Sequence, residues 1–259
     1  MKTLPMRKTL SIAALVVGLG AFTNAGAAVI NGVDWSNVYD PDATTYNFLP
    51  TAATPVWGGG TGNATVSIPA NYLTISSTNL VQQMYYTNST GWDMTNGMSV
   101  EARVSVTGTS LAAGDPIGSI RIGNGTKYTY IGFDDTKIYF LNAGGGGAYD
   151  VLATGLNLSA FTTVRLTITN TLDLNVYVNN SPTPVGTLST ANFVTLAGVN
   201  SILFGDASSF VGGTSNWDYI AYTAGVYAVP EPGSMALFGL GLLPIYFVVH
   251  RKRRSSSAR

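Results

Sequence analysis

The chain has 259 residues, of which 46% are hydrophobic and only 10% are charged, against about a quarter charged in an average soluble protein. Its formal net charge of zero hides an uneven distribution, because residues 28–229 hold five basic and twelve acidic residues, a charge of −7. An acidic body excludes nucleic-acid binding through phosphates, which requires clustered Lys and Arg. The lack of Cys excludes disulfides and thiolate metal sites.

Residues 1–27 predict a secretory signal peptide. Three basic residues within the first eight positions precede an apolar run over residues 10–22, and small residues follow that run. We expect cleavage after Ala27 or Ala28 and export through the Sec machinery. The alternative, an uncleaved anchor helix, is disfavoured because the apolar run is short for a membrane span.

Residues 28–227 predict one β-sandwich domain. Between Met98 and Val106 apolar residues alternate with polar ones such as Glu101, which is typical of a strand with one buried face. Similar segments recur along the chain, separated by Gly, Asn and Asp turn signals, and they predict about a dozen short strands. No amphipathic helix longer than three turns is predicted outside the two ends.

The stretch from Ser99 to Tyr222 resembles the concanavalin A-like jelly rolls, the group of laminin-G, lectin and glucanase domains. The segments that carry the resemblance are SVEARVSV, YTYIGFDDTKIYFL, FTTVRLTITNTLDLNVYVNN and ILFGDASSFVGGTSNWDYIAYTAG. The expected fold class is therefore all-β, a jelly-roll β-sandwich, flanked by the signal peptide and a short C-terminal transmembrane helix.

The body contains little of what catalysis requires. Its only candidate glutamate is Glu101, and the sole histidine of the chain, His250, lies near the C-terminus. Ser-His-Asp triads and His-based metal sites are thereby excluded. Glucanases of the group it resembles place acids at alternate positions of one strand, whereas Arg103 and Ser105 follow Glu101 here. We expect no enzymatic activity; a membrane-anchored glycoside hydrolase is the less favoured alternative and would need a carboxylate pair.

Three aspartates are candidate ligands for a structural calcium ion, the one cofactor that we consider. Calcium binds oxygen ligands, and the first and last strands of a jelly roll are often neighbours, which would bring Asp34 close to Asp218. Asp206 is the third candidate. The alternative is that these carboxylates cap turns or face water.

Tyr128 and Tyr130 are the candidate glycan-binding residues. Their spacing of two places both rings on one face of a strand. Exposed aromatic rings bind sugar rings through apolar stacking, whereas the alternative is packing within the core or across strands. The acidic charge of the body does not exclude a neutral polysaccharide as partner.

Residues 228–254 combine an extended motif, an apolar run and a basic cluster. The motif consists of Val229, Pro230, Glu231 and Pro232, and the basic cluster consists of Arg251, Lys252, Arg253 and Arg254. The apolar run, residues 235–249, is 15 residues long. As a helix it would extend about 22 Å, against a hydrocarbon core of ~30 Å. The basic cluster would hold that end, with the tail 255–259, in the cytoplasm.

These three features in this order resemble the PEP-CTERM sorting signal of Gram-negative bacteria. The resemblance implies that an exosortase recognises the motif, and that the protein is held in the inner membrane only transiently before it reaches the outer surface or the extracellular space. We expect a structural or adhesive protein associated with exopolysaccharide or biofilm. The alternative is a lectin-like carbohydrate-binding module.

Overall fold

The computed structural model describes residues 28–41, 49–59, 62, 64–77, 84–110, 116–143, 148–206 and 211–227. The predicted signal peptide and the sorting signal lie outside these ranges. Within them the chain forms 18 strands and three short 3-10 helices, Pro50–Ala52, Met94–Asn96 and Thr190–Asn192. No helix in this described part is long and apolar enough to cross a membrane.

One sheet, which we call the tyrosine sheet, has eight strands. They are β4 (Gly58–Gly59), β7 (Met84–Asn88), β9 (Gly118–Gly123), β10 (Lys127–Phe133), β11 (Ile138–Leu141), β12 (Tyr149–Ala153), β16 (Val194–Thr195) and β17 (Ile202–Asp206). Their order is β12-β11-β10-β9-β17-β7-β4, and β16 pairs with one end of β10. All of these pairs are antiparallel.

The second sheet, called the long-strand sheet, also has eight strands. They are β3 (Asn37–Tyr39), β5 (Thr65–Ser67), β6 (Leu73–Ser77), β8 (Met98–Ser110), β13 (Thr162–Ile168), β14 (Leu174–Val178), β15 (Gly186–Leu188) and β18 (Val211–Ala224). Their order is β15-β14-β13-β8-β18-β6-β5, and β3 pairs with β18. A register shift between Trp217 and Tyr219 interrupts the long β8–β18 pairing.

The hydrophobic core lies between the two sheets. The predicted core face of β8 is confirmed, because Val100, Ala102 and Val104 are fully buried. The prediction that its other face is exposed is wrong at Ser99 and Glu101, which are fully buried as well. At the centre of the core the Phe204 ring lies 5.0 Å from the rings of both Trp57 and Trp217, edge-on. Complete burial of each such side chain contributes about 1.5–3 kcal/mol to the stability of the sandwich.

The prediction of an all-β sandwich is confirmed, and the number of strands is higher than expected. Two of the described strands, β4 and β16, have only two residues. A segment this short shows no period-two alternation, so sequence patterning cannot detect it.

The first two strands, β1 (Ala28–Ile30) and β2 (Val33–Trp35), form a separate hairpin. Asn31 and Gly32 both have positive φ, 50° and 78°, which is the conformation of a type I′ turn and the reason that Asn-Gly suits this position. Trp35 is fully buried and packs with Tyr219 and Ala221 of β18. The hairpin therefore lies against the outward side of the long-strand sheet, the side away from the core.

Candidate functional site

The predicted pair Tyr128 and Tyr130 lies on β10 with both rings on the outward side of the tyrosine sheet. Alternate residues of the same strand, among them Ile131 and Phe133, are fully buried in the core. The two tyrosine ring centroids are 5.9 Å apart and nearly perpendicular. The ring of Tyr149, on β12, lies 6.5 Å from that of Tyr130. Each of the three residues is half-buried.

Arg121 of β9 lies beside these rings, because it pairs directly with Tyr130 across the sheet. Its guanidinium carbon is 5.9 Å from the centroid of the Tyr130 ring, within the range of a cation–π contact. Nη2 donates a hydrogen bond to Ser201 Oγ at 3.2 Å, whereas the buried Nε has no acceptor in the described part of the chain. Burial raises the pKa of Tyr130, and the Arg121 charge partly offsets this increase.

We call the outward side around Tyr128, Tyr130, Tyr149 and Arg121 the tyrosine face. It continues across neighbouring strands, because Arg121 pairs with Leu203 of β17. From β7 to β12 the sheet crosses six strands, about 24 Å at ~4.8 Å per strand. The recognition groups of this face are its aromatic rings and one guanidinium.

The three candidate calcium ligands do not form one site. Asp34 is exposed on β2, and Asp218 Oδ2 lies 2.5 Å from Nη1 of Arg103. Asp206 is buried in the tyrosine sheet, where it accepts a 2.5 Å hydrogen bond from Ser77 Oγ. No group of three or more metal-ligating acids or histidines occurs among the described residues.

The surroundings of the three aspartates differ from one another in the described part of the chain. Within the long-strand sheet, the strands that come first and last in the chain, β3 and β18, are neighbours as expected. Asp218 is nevertheless held by Arg103, and Asp206 belongs to the other sheet. Calcium binding as such stays a prediction.

Sequence reasoning missed a buried polar cluster around Glu101 on the outward side of the long-strand sheet. Glu101 and Arg165 pair across β8 and β13, and both are at most 1% exposed. Arg165 Nε donates to Glu101 Oε2 at 2.6 Å, and the Nη2 atom lies 2.6 Å from the same oxygen. The other carboxylate oxygen accepts hydrogen bonds of 2.7 Å from Asn31 Nδ2 and from Tyr219 Oη. The sequence holds one signal of this cluster: Glu101 and Arg165, of opposite charge, each lie within a strand whose core face is apolar.

A polar cleft of about 600 Å³ lies at one end of the sandwich. Its lining includes Trp92, Asp93, Asn124, Asn170 and Asn200. The Asp93 Oδ1 and Asn124 Oδ1 atoms accept hydrogen bonds from the backbone of the turns that follow them. Hydrogen bonds from Thr95 lower the pKa of Asp93. These two oxygens therefore stabilise loops rather than point unpaired into the cleft.

Comparison with known proteins identifies the C-terminal segment. The PEP-CTERM protein-sorting motif matches residues 228–253. The chain carries a PEP-CTERM sorting motif, as its Pro-Glu-Pro sequence and basic cluster predict. The motif implies processing by an exosortase and passage of the protein across a membrane. No curated protein matches the chain.

Several solved structures are similar to the body of the chain. A carbohydrate esterase of the Shiga toxin-encoding bacteriophage phi24B is 14% identical and has a TM-score of 0.49, over 73% of this chain and 97% of the esterase. The cellulose-induced protein Cip1 is 12% identical, with a TM-score of 0.47 over 67% of this chain and 94% of Cip1. The Emp47p carbohydrate recognition domain is 12% identical, with a TM-score of 0.40 over 73% of this chain and 95% of the Emp47p domain. At these identities the likeness does not extend to function.

Proposed function

We propose that this protein is exported to the surface of a Gram-negative bacterium and binds polysaccharide there through the tyrosine face. Its role is structural or adhesive, in contact with exopolysaccharide or a biofilm matrix. The observation that carries the proposal is the group of half-buried tyrosine rings on the outward side of one sheet, at Tyr128, Tyr130 and Tyr149.

The sorting motif supports the cellular part of the proposal. A signal peptide at residues 1–27 sends the chain through the Sec machinery, and the apolar run before the basic cluster holds it briefly in the inner membrane. An exosortase then acts near Pro230 and Pro232. Proline disfavours helix and favours extended backbone, the form that suits a protease cleft. The body is released on the outer side, where polysaccharides are abundant.

The chemistry of the tyrosine face supports the binding part. A sugar ring has an apolar face of C–H groups and a rim of hydroxyls, and a tyrosine likewise combines an apolar ring with one polar group. Rings at different angles, such as the perpendicular pair Tyr128 and Tyr130, suit a polymer that twists along its length. Ligand sites in general combine aromatic walls with a few orienting polar groups.

We propose binding without catalysis. Glycoside hydrolysis needs two carboxyl groups on either side of the scissile bond. Glu101 is fully buried and paired with Arg165, so it has no access to a substrate. Incubation of the purified protein with a panel of polysaccharides should release no reducing ends, and release of sugars would favour the glycoside hydrolase alternative.

The binding proposal is tested by cosedimentation of the purified protein with insoluble polysaccharides and by affinity electrophoresis in soluble ones. We expect Tyr128→Ala and Tyr130→Ala each to weaken binding about tenfold, which corresponds to ~1.4 kcal/mol. Tyr72→Ala is the matched control, because Tyr72 is also half-buried and packs edge-on against another ring, Phe161, away from the tyrosine face. Equal binding by all three variants would assign the tyrosine rings to packing alone.

A further inference from the structure

We propose that the tyrosine face selects polysaccharides that carry carboxylate groups, such as those built of uronic acids, and that Arg121 provides the counter-charge. The inference rests on the proposed function and names the class of ligand. It starts from a difference among the arginines of the body. Arg103 is paired with Asp218 at 2.5 Å and Arg165 with Glu101 at 2.6 Å. Arg121 has no carboxylate partner within the described residues.

Three acids of the described chain lie in or next to the strands of the tyrosine sheet, and none of them is paired with Arg121. Asp150 of β12 accepts a 2.6 Å hydrogen bond from Asn142 Nδ2. Asp134 Oδ1 accepts hydrogen bonds from the backbone of Thr136 and Lys137, at 2.8 and 2.6 Å, and its other oxygen accepts from the Tyr139 hydroxyl. Asp206 points between the sheets toward Ser77. The positive charge of Arg121 is therefore not neutralised by these three carboxylates.

Arg121 is held in a position from which it can contact a bound polymer. It lies on β9 in the middle of the sheet, with its guanidinium next to the Tyr130 ring and anchored by Ser201 Oγ. The two Nη groups of a guanidinium can match a carboxylate with two parallel hydrogen bonds, and this outer edge is the one that Arg121 would use, because its Nε is buried. The Arg121 guanidinium lies 5.9 Å from the centroid of the Tyr130 ring. A uronic acid stacked on Tyr128 or Tyr130 could therefore bring its own carboxylate, or that of the next sugar unit, to the guanidinium.

Because the body as a whole is negatively charged, the preference for carboxylates must come from the immediate surroundings of Arg121. Residues 28–229 have a formal charge of −7, so polyanions in general are repelled. An acidic polymer gains affinity only where a defined cation meets a defined carboxylate. This distinguishes the tyrosine face from a basic surface, which would bind any polyanion in proportion to its charge.

The experiment compares the binding of polygalacturonate and of the same polymer after reduction of its carboxyl groups, at 0.15 M salt, by calorimetry and affinity electrophoresis of the purified protein. We expect at least tenfold tighter binding of the acidic form. Arg121→Gln should remove this preference, so that the ratio of the two affinities falls to about one. Arg121→Lys, which keeps the charge but loses the fork, should retain part of the preference. Arg103→Gln is the matched control, because Arg103 also lies over an aromatic ring, 5.2 Å from the centroid of Phe161, but on the other sheet.

The outcomes separate this inference from the proposed function. Equal affinity of the wild-type protein for both polymers would overturn the inference and leave polysaccharide binding in place, whereas no binding of any polysaccharide would overturn both. A sulfated galactan without carboxylates should bind more weakly than polygalacturonate, and equal or tighter binding would refute the assignment to carboxylates. If Arg121→Gln unfolds, as a melting curve will show, the comparison of polymers on the wild-type protein still decides the matter.

Discussion

Replacement of Glu101 by Gln should destabilise the protein strongly, because it leaves Arg165 as a buried charge without a counter-charge. Arg165 is 1% exposed, and its Nη1 atom has no hydrogen-bond acceptor among the described residues. Removing one partner of a buried ion pair costs about 3–5 kcal/mol. Total stabilities of domains are typically about 5–15 kcal/mol, so this is a large share.

The measurement is equilibrium unfolding in urea. With a slope of about 2 kcal/mol per molar, the midpoint of Glu101→Gln should fall by about 2 M. Asp218→Asn is the matched control, because it removes a carboxylate from an ion pair whose arginine side chain is 45% exposed. An exposed pair contributes only about 0–1 kcal/mol, so its midpoint should change little.

A double variant gives a second check of the reasoning. Replacing both partners, Glu101→Leu with Arg165→Met, removes the buried charges together and should recover most of the loss. Absorbance of ionised tyrosine provides a spectroscopic measurement, because burial and the Glu101 charge raise the pKa of Tyr219. Loss of the Glu101 charge in Glu101→Gln should lower that pKa. A urea midpoint of Glu101→Gln close to that of the wild type, with an unchanged slope, would refute the claim that the variant leaves Arg165 as a buried charge without a counter-charge.

Two further predictions concern alkaline pH and sorting. Burial raises the pKa of Tyr86 to about 12, and it also raises that of Tyr222. Unfolded tyrosine ionises near pH 10, so between pH 10 and 12 the unfolded state loses a proton that folded Tyr86 keeps. The free energy of unfolding should therefore be constant below pH 10 and fall by about 1.4 kcal/mol per pH unit from pH 10 to 12 on account of Tyr86. Urea midpoints that stay constant from pH 9 to 12 would contradict this. Protein recovered from the cell surface should end near Pro232 by intact mass, and replacing Pro230, Glu231 and Pro232 with Ala should leave it uncut and in the membrane; an intact Arg259 on surface-exposed wild-type protein would argue for an ordinary anchor.

Features that depend on local alternation were predictable from the sequence. The buried face of β8 and the shared side of Tyr128 and Tyr130 both follow from a side-chain period of two, which the backbone imposes on any strand. The Asn31-Gly32 turn likewise has a local cause, because both residues need positive φ.

Features that depend on distant pairing were not predictable. Glu101 contacts Asn31, Arg165 and Tyr219, which are 70, 64 and 118 residues away along the chain. No local pattern specifies that four such residues converge, or that a hairpin covers them. The surroundings of Asp218 were unpredictable for the same reason. Proximity of the first and last strands in chain order could be anticipated, but the contact of Asp218 with Arg103 next to the register shift could not.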